Sequence, residues 1–96
     1  MSAADPTEPR SLLIRDVPVL PVGDLQRLRA VLGADLDVSS TLRRWQAGEL
    51  VTPHSVSVAL EAVLRMLAPN EGAAAPILEA AIDRIAEAFP EETLPL

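Results

Sequence analysis

The sequence predicts an all-α fold, a compact orthogonal bundle of about four helices that follows an N-terminal extended arm. Apolar residues make up 49% of the 96 residues, but aromatic residues only 2%. The core is therefore built mainly from Leu, Val, Ile and Ala, which suit packed helices. Four segments carry apolar residues at helical spacing, bounded by capping residues before them and by Gly or Pro after them.

The chain divides into four segments. Residues 1–10 are small, polar and Pro-containing, and we expect a disordered tail. Residues 11–22 form an extended arm or short strand, because Pro18 would break a helix there. We expect the arm to pack on its own domain; pairing with a second chain is the rarer alternative. Residues 23–90 form the helical domain, and residues 91–96 a frayed tail.

The first two helices are short. The first spans residues 24–32, with Asp24 as the N-cap and Gly33 as the C-terminal stop. The second spans about 40–47. Its N-cap is one of two serines: Ser39 or Ser40.

The last two helices are longer. The third spans 53–67 and begins with Thr52 as cap and proline at the first helical position. Residues 68–76 are expected to form a loop and the best internal boundary. The fourth helix spans 76–89 and carries an apolar strip suited to packing on another helix or on a protein partner. The predicted partner-binding residues are Leu78, Ile82, Ile85 and Phe89.

Composition excludes several function classes. The chain has no cysteine, which removes disulfides and thiolate metal sites, and its one histidine has no visible ligand partner. We expect no catalytic residues, metal, cofactor or small-molecule substrate, and so no enzyme. No apolar run approaches the ~20 residues that span a bilayer. The N-terminus also lacks the pattern of a signal peptide. We therefore expect a cytoplasmic protein that does not enter a membrane.

The segment 37–53, DVSSTLRRWQAGELVTP, has the composition of a DNA-reading helix. Small polar residues open it, arginines follow, and two apolar residues three apart would face inward. Arginine binds guanine in bidentate fashion, and serine or threonine contacts phosphate. The candidate DNA-binding residues are Ser39, Ser40, Thr41, Arg43, Arg44 and Gln46.

Residues 38–48, VSSTLRRWQAG, resemble the recognition-helix stretch of small prokaryotic helix-turn-helix proteins of the Xre/Cro repressor and antitoxin type. The stretch LPVGDLQRLRAVLG is also similar to excisionase-type domains. The resemblance covers about residues 24–67 and implies DNA binding, with Trp45 in the core. The chain departs from the pattern at Gln46, where the family usually has Glu, and at the inserted residues 34–37. The usual first helix is replaced by the Pro-broken arm.

Charge leaves two functions open. The formal net charge is −6, and residues 68–96 carry six acids and one arginine. DNA-binding domains usually present a basic face. The acidic charge therefore counts against DNA binding, whereas the resemblance favours it. On the resemblance we expect a small non-enzymatic regulator with a degenerate helix-turn-helix that binds DNA as a dimer. The alternative is an acidic helical module that binds a protein through its arm or its fourth helix and does not bind nucleic acid.

Overall fold

The computed structural model describes residues 10–93, and these form a mostly α-helical domain, as the sequence predicts. Two short strands precede five α-helices within this range. The strands are β1 (Leu12–Ile14) and β2 (Val17–Leu20). The helices are α1 (Val22–Leu32), α2 (Ser40–Gln46), α3 (Pro53–Arg65), α4 (Ala75–Ala88) and α5 (Pro90–Thr93). The tail predicted for residues 1–9, and residues 94–96, lie outside the described range.

The predicted extended arm is an antiparallel β-hairpin. Its two-residue turn places Arg15 at φ 49° and Asp16 at φ 70°, and a type I′ turn requires positive φ at both positions. Leu12 pairs with Leu20, but Leu13 pairs with Pro18, so Val19 is an extra residue that bulges from β2. The hairpin packs on its own domain, which is the interpretation that we favoured.

The first helix begins earlier than predicted. Its N-cap is Pro21 rather than Asp24, and Asp24 lies in the first turn. The hydroxyl of Ser11 accepts a hydrogen bond from the amide of Val22 at 3.2 Å, so a residue of the arm satisfies this helix end. Gly33 ends α1 at φ 55°, where glycine lacks the steric penalty of other residues.

The caps predicted for the next two helices are confirmed. Ser39 is the N-cap of α2, and its hydroxyl accepts from the amide of Leu42 at 3.1 Å. Thr52 caps α3 in the same way, accepting from the amide of Ser55 at 3.2 Å, and Pro53 occupies the first turn. Both helices therefore begin where the sequence signals place them.

Two predicted irregular segments are helical instead. Residues 68–76 are not a loop: Pro69–Ala74 form a 3₁₀ helix that leads directly into α4. The tail predicted to start at residue 91 contains α5, whose Glu92 forms a bidentate pair with Arg15 at 2.5 and 2.8 Å. The hydrogen bond and charge of Glu92 raise the pKa of Arg15 above its usual range. Arg15 also lies 5.5 Å from the centre of the Phe89 ring.

One hydrophobic core joins the hairpin to the helices. Buried apolar side chains come from both strands, from α1 to α4, and from two 3₁₀ segments, Gly33–Asp37 between α1 and α2 and Pro69–Ala74 before α4. No polar side chain of residues 10–92 is fully buried. Arg84 on α4 fastens the hairpin to this core. Its guanidinium donates to the carbonyl of Val19 at 3.0 Å and lies 3.6 Å from the carboxylate of Asp24. The bulge carbonyl is thereby satisfied.

Candidate nucleic-acid interface

Helix α2 carries the predicted DNA-binding residues and is held at the surface by its two inward side chains. Leu42 and Trp45 are both buried, as their three-residue spacing predicts. The indole Nε1 of Trp45 donates to the carbonyl of Leu13 at 2.9 Å. Leu13 pairs with Pro18 across the hairpin, and the carbonyl of Leu13 points away from β2. Trp45 thus fixes α2 against the outer edge of β1.

The arginines of α2 lie on its exposed face. Arg43 is exposed and forms no ion pair with any residue between 10 and 93. Arg44 is also exposed, with its Nε 3.2 Å from a carboxylate oxygen of Glu49 in the following loop. Such a surface pair is weak, because water and salt screen it. Arg43 is therefore free to meet an anion, and Arg44 can do so by exchanging its weak pair with Glu49.

The small polar residues at the start of α2 divide into two roles. Ser40 is exposed and Thr41 is half-buried in the first turn. Ser39 uses its hydroxyl to cap the helix. Ser40 and Thr41 are therefore the polar side chains of the first turn that can contact a ligand together with the arginines.

Gln46 is turned toward the protein. Its amide nitrogen donates to Asp37 at 2.8 Å and to the carbonyl of Leu42 at 3.2 Å, while its oxygen accepts from Arg29 of α1. This network links α1, α2 and the 3₁₀ segment between them. Gln46 therefore fixes the position of α2, and its side chain is not free to contact a ligand as those of Ser40 and Arg43 are.

The inserted residues between α1 and α2 form a 3₁₀ helix, Gly33–Asp37. Leu36 anchors this segment in the core, Asp35 is exposed, and Asp37 accepts a hydrogen bond from Gln46 of α2. The segment is longer than the three- to four-residue turn of a typical helix-turn-helix. Its two acids oppose any anion that approaches α2 from this side, so the basic character of the surface rests on Arg43 and Arg44.

The apolar strip on α4 is not exposed for a partner. Leu78 and Ile85 are completely buried, and Ile82 and Phe89 pack partly buried against the same core. The prediction that Leu78, Ile82, Ile85 and Phe89 bind a second protein is therefore corrected. These residues bury the face of α4 against the chain's own α3 and hairpin.

An open groove of about 1180 Å³ lies between the hairpin and the loop after α2. Residues 10–16 and 45–51, with Leu25 and Arg29, line this hairpin groove. Two leucines on it are unusually exposed: Leu50 by 94% and Leu13 by 46%. Leu13 was predicted only as part of the extended arm, residues 11–22. Leu50 was not singled out from the sequence, since an isolated Leu in a loop has no periodic signal.

The described residues show neither a metal site nor a spanning helix. Between residues 10 and 93, no group of three or more His, Cys, Asp or Glu side chains is placed to hold a metal ion. Within the same range, no helix is long and apolar enough to cross a membrane.

Comparisons of the chain with protein-family models, with curated proteins and with solved structures found no match. The arrangement of α1, α2 and the hairpin groove is therefore interpreted from its own chemistry.

Proposed function

We propose that this chain is a small non-enzymatic regulator that binds DNA as a dimer, with α1 and α2 acting as a degenerate helix-turn-helix of the Xre/Cro or excisionase type. The observation that carries the proposal is the outward pair Arg43 and Arg44 on a helix whose inner face is anchored by Trp45. A recognition helix needs this combination, because its exposed side chains must be held in a fixed register against the groove.

Each residue of α2 has a stated part in this proposal. Arg43 and Arg44 contact phosphates or guanine edges, and Ser40 and Thr41 contact phosphate oxygens at the start of the helix. Gln46 is a positioning residue, since it joins Asp37 and Arg29 and so sets the angle between α1 and α2. Seven residues rise only about 10 Å, so few side chains reach the DNA.

A dimer is part of the proposal because one copy offers too little positive charge. Affinity for DNA depends on the number of phosphates that are neutralised, and each copy contributes two outward arginines from α2. The whole chain is acidic, at −6. Two copies that dock together double the basic contacts and set a fixed half-site spacing.

The experiment is a fluorescence anisotropy titration of labelled mixed genomic fragments at low salt. The proteins are the wild type and the double variant Arg43→Ala/Arg44→Ala. We expect salt-sensitive binding by the wild type and at least a tenfold weaker affinity for the variant. Absence of binding by the wild type at the lowest salt would refute the proposal. Circular dichroism checks that the variant is folded.

A protein-interaction module without DNA binding is the second candidate. The exposure of Leu50 and Leu13 favours it, because neighbouring large apolar side chains on a surface are typical of a protein contact. The two candidates differ in their mutational maps. Under the second candidate, Arg43→Ala/Arg44→Ala is neutral for function, whereas Leu13→Glu or Leu50→Glu abolishes it.

A further inference from the structure

The hairpin groove combines a projecting apolar side chain with a concave surface. Leu50 projects from one wall with 94% of its surface exposed, and Leu13 lies on the facing strand with 46% exposed. Trp45, which is only 3% exposed, forms part of the base. A contact across a two-fold axis uses the same surface of both copies, so that surface must carry both a projecting side chain and a concavity that accepts it.

The charges on the groove are also compatible with self-association. Three arginines line it, namely Arg10, Arg15 and Arg29, together with two acids, Asp16 and Glu49. Residues 68–93, which carry six acids and only one arginine, contribute no residue to this lining, although Glu92 pairs with the lining residue Arg15. Two copies of a chain at −6 repel each other, and that repulsion is smallest where the local charge is nearly balanced. Arg15 and Glu49 already form ion pairs within one chain. Among residues 10–93, Arg10, Arg29 and Asp16 form no ion pair, so these arginines can meet Asp16 of the other copy across the axis.

Edge-to-edge pairing of the hairpins is a poorer route to a dimer. The carbonyl of Leu13 on the outer edge of β1 already accepts from Trp45, and the carbonyl of Val19 on β2 already accepts from Arg84. Pro18 has no N–H to donate. Contact between two copies therefore rests on the side chains of the groove.

We propose that the hairpin groove is the contact between two copies of this chain, with Leu50 of each copy inserted into the groove of the other. This proposal deepens the proposed function, because it names the surface through which the DNA-binding dimer forms. The contact itself is argued from the groove, and only its role in DNA binding rests on the proposed function. Arg43 and Arg44 do not line the groove, so they stay exposed when it is covered. A two-fold contact beside α2 gives the two helices a fixed separation, as a dimeric DNA reader requires.

The test is sedimentation equilibrium of the full chain without DNA, from about 5 to about 500 µM. We expect the wild type to pass from monomer to dimer over this range. Leu50→Glu and Leu13→Glu should each raise the dissociation constant at least tenfold, because each places a charge in the apolar centre of the contact. Val58→Glu is the matched control, since Val58 is 50% exposed and lies outside the groove. It should leave the constant unchanged.

Three outcomes would overturn the proposal. They are a wild type that stays monomeric at the highest concentration, a dimer that is indifferent to both groove variants, and species that grow beyond a dimer, since a two-fold contact closes. The side chain of Leu50 lies almost wholly in solvent, so Leu50→Glu leaves the monomer folded, which circular dichroism verifies. A dimer that fails to bind DNA would refute the proposed function and leave this interface intact.

Discussion

Replacing Trp45 with phenylalanine tests how α2 is held. The substitution removes the indole Nε1 that donates to the carbonyl of Leu13 at 2.9 Å and shortens a side chain that is 97% buried. A lost hydrogen bond that leaves a partly buried acceptor unsatisfied costs about 1–2 kcal/mol. The smaller ring adds about 1 kcal/mol of lost burial. We expect the free energy of unfolding to fall by about 2–3 kcal/mol, a large part of the ~5–15 kcal/mol that a typical domain has.

The assay is urea denaturation followed by far-ultraviolet circular dichroism, because Trp45 is the chain's one tryptophan and its fluorescence is lost in the variant. A loss of this size moves the midpoint by about 1–2 M urea. The control is Arg43→Ala, an exposed position two residues away, which should change stability by less than about 0.5 kcal/mol. A loss below about 0.5 kcal/mol for Trp45→Phe would refute the view that Trp45 anchors the hairpin to α2.

Three further substitutions test local geometry through thermal or urea unfolding. Asp16→Gly should stabilise the domain by about 0.5–1 kcal/mol, because position 16 has φ 70°; a loss of stability would contradict the turn assignment. Gly48→Ala should lower the stability of the domain by about 1 kcal/mol, because Gly48 has a φ of 84°. Gly72→Ala is the control: an added Cβ meets no neighbour at either glycine, but Gly72 lacks a positive φ, so its replacement should not destabilise. Equal effects would show that the positive φ is not the cause. Ser39→Ala should remove about 1 kcal/mol of stability through the lost cap. If stability is unchanged and only DNA affinity falls, Ser39 contacts DNA instead.

The helices were predictable because their signals are local. Thr52 and Pro53 mark the start of α3 through the free amides of the first turn, and the apolar spacing of the helix marks its buried face. Trp45 was predicted to face inward from its spacing to Leu42 and from the family resemblance, and it is buried. The segment 68–76 was mistaken for a loop because its Pro, Asn and Gly residues are also compatible with a 3₁₀ helix.

The parts that were missed depend on contacts between distant residues. The hairpin turn lacks the Asn-Gly or Asp-Gly signal, and Arg15 is held there partly by Glu92, 77 residues away. Arg84 likewise contacts the bulge at Val19 from a helix 65 residues later. The two-residue separation of the apolar runs LLI and VPVL is the signal that would have indicated the hairpin.

The strip on α4 was misassigned for a related reason. An apolar helical face looks the same whether it packs on its own domain or on a partner, and only the tertiary structure distinguishes the two. Here Leu78 and Ile85 fill the core that the hairpin and α3 leave open. In contrast, the outward placement of Arg43 followed directly from the helical register of α2.

The salt dependence of DNA binding tests the central claim, that the arginines of α2 contact DNA. The measurement compares the slope of log K against log salt for the wild type, for Arg43→Ala/Arg44→Ala, and for Arg27→Ala/Arg65→Ala, which removes the same charge from exposed positions on α1 and α3. Each phosphate contact contributes about 0.9 to the slope. We predict a slope smaller by about 2 per copy for the α2 variant and an unchanged slope for the control. Equal changes in both double variants would contradict the claim, because binding would then depend on net charge and not on α2.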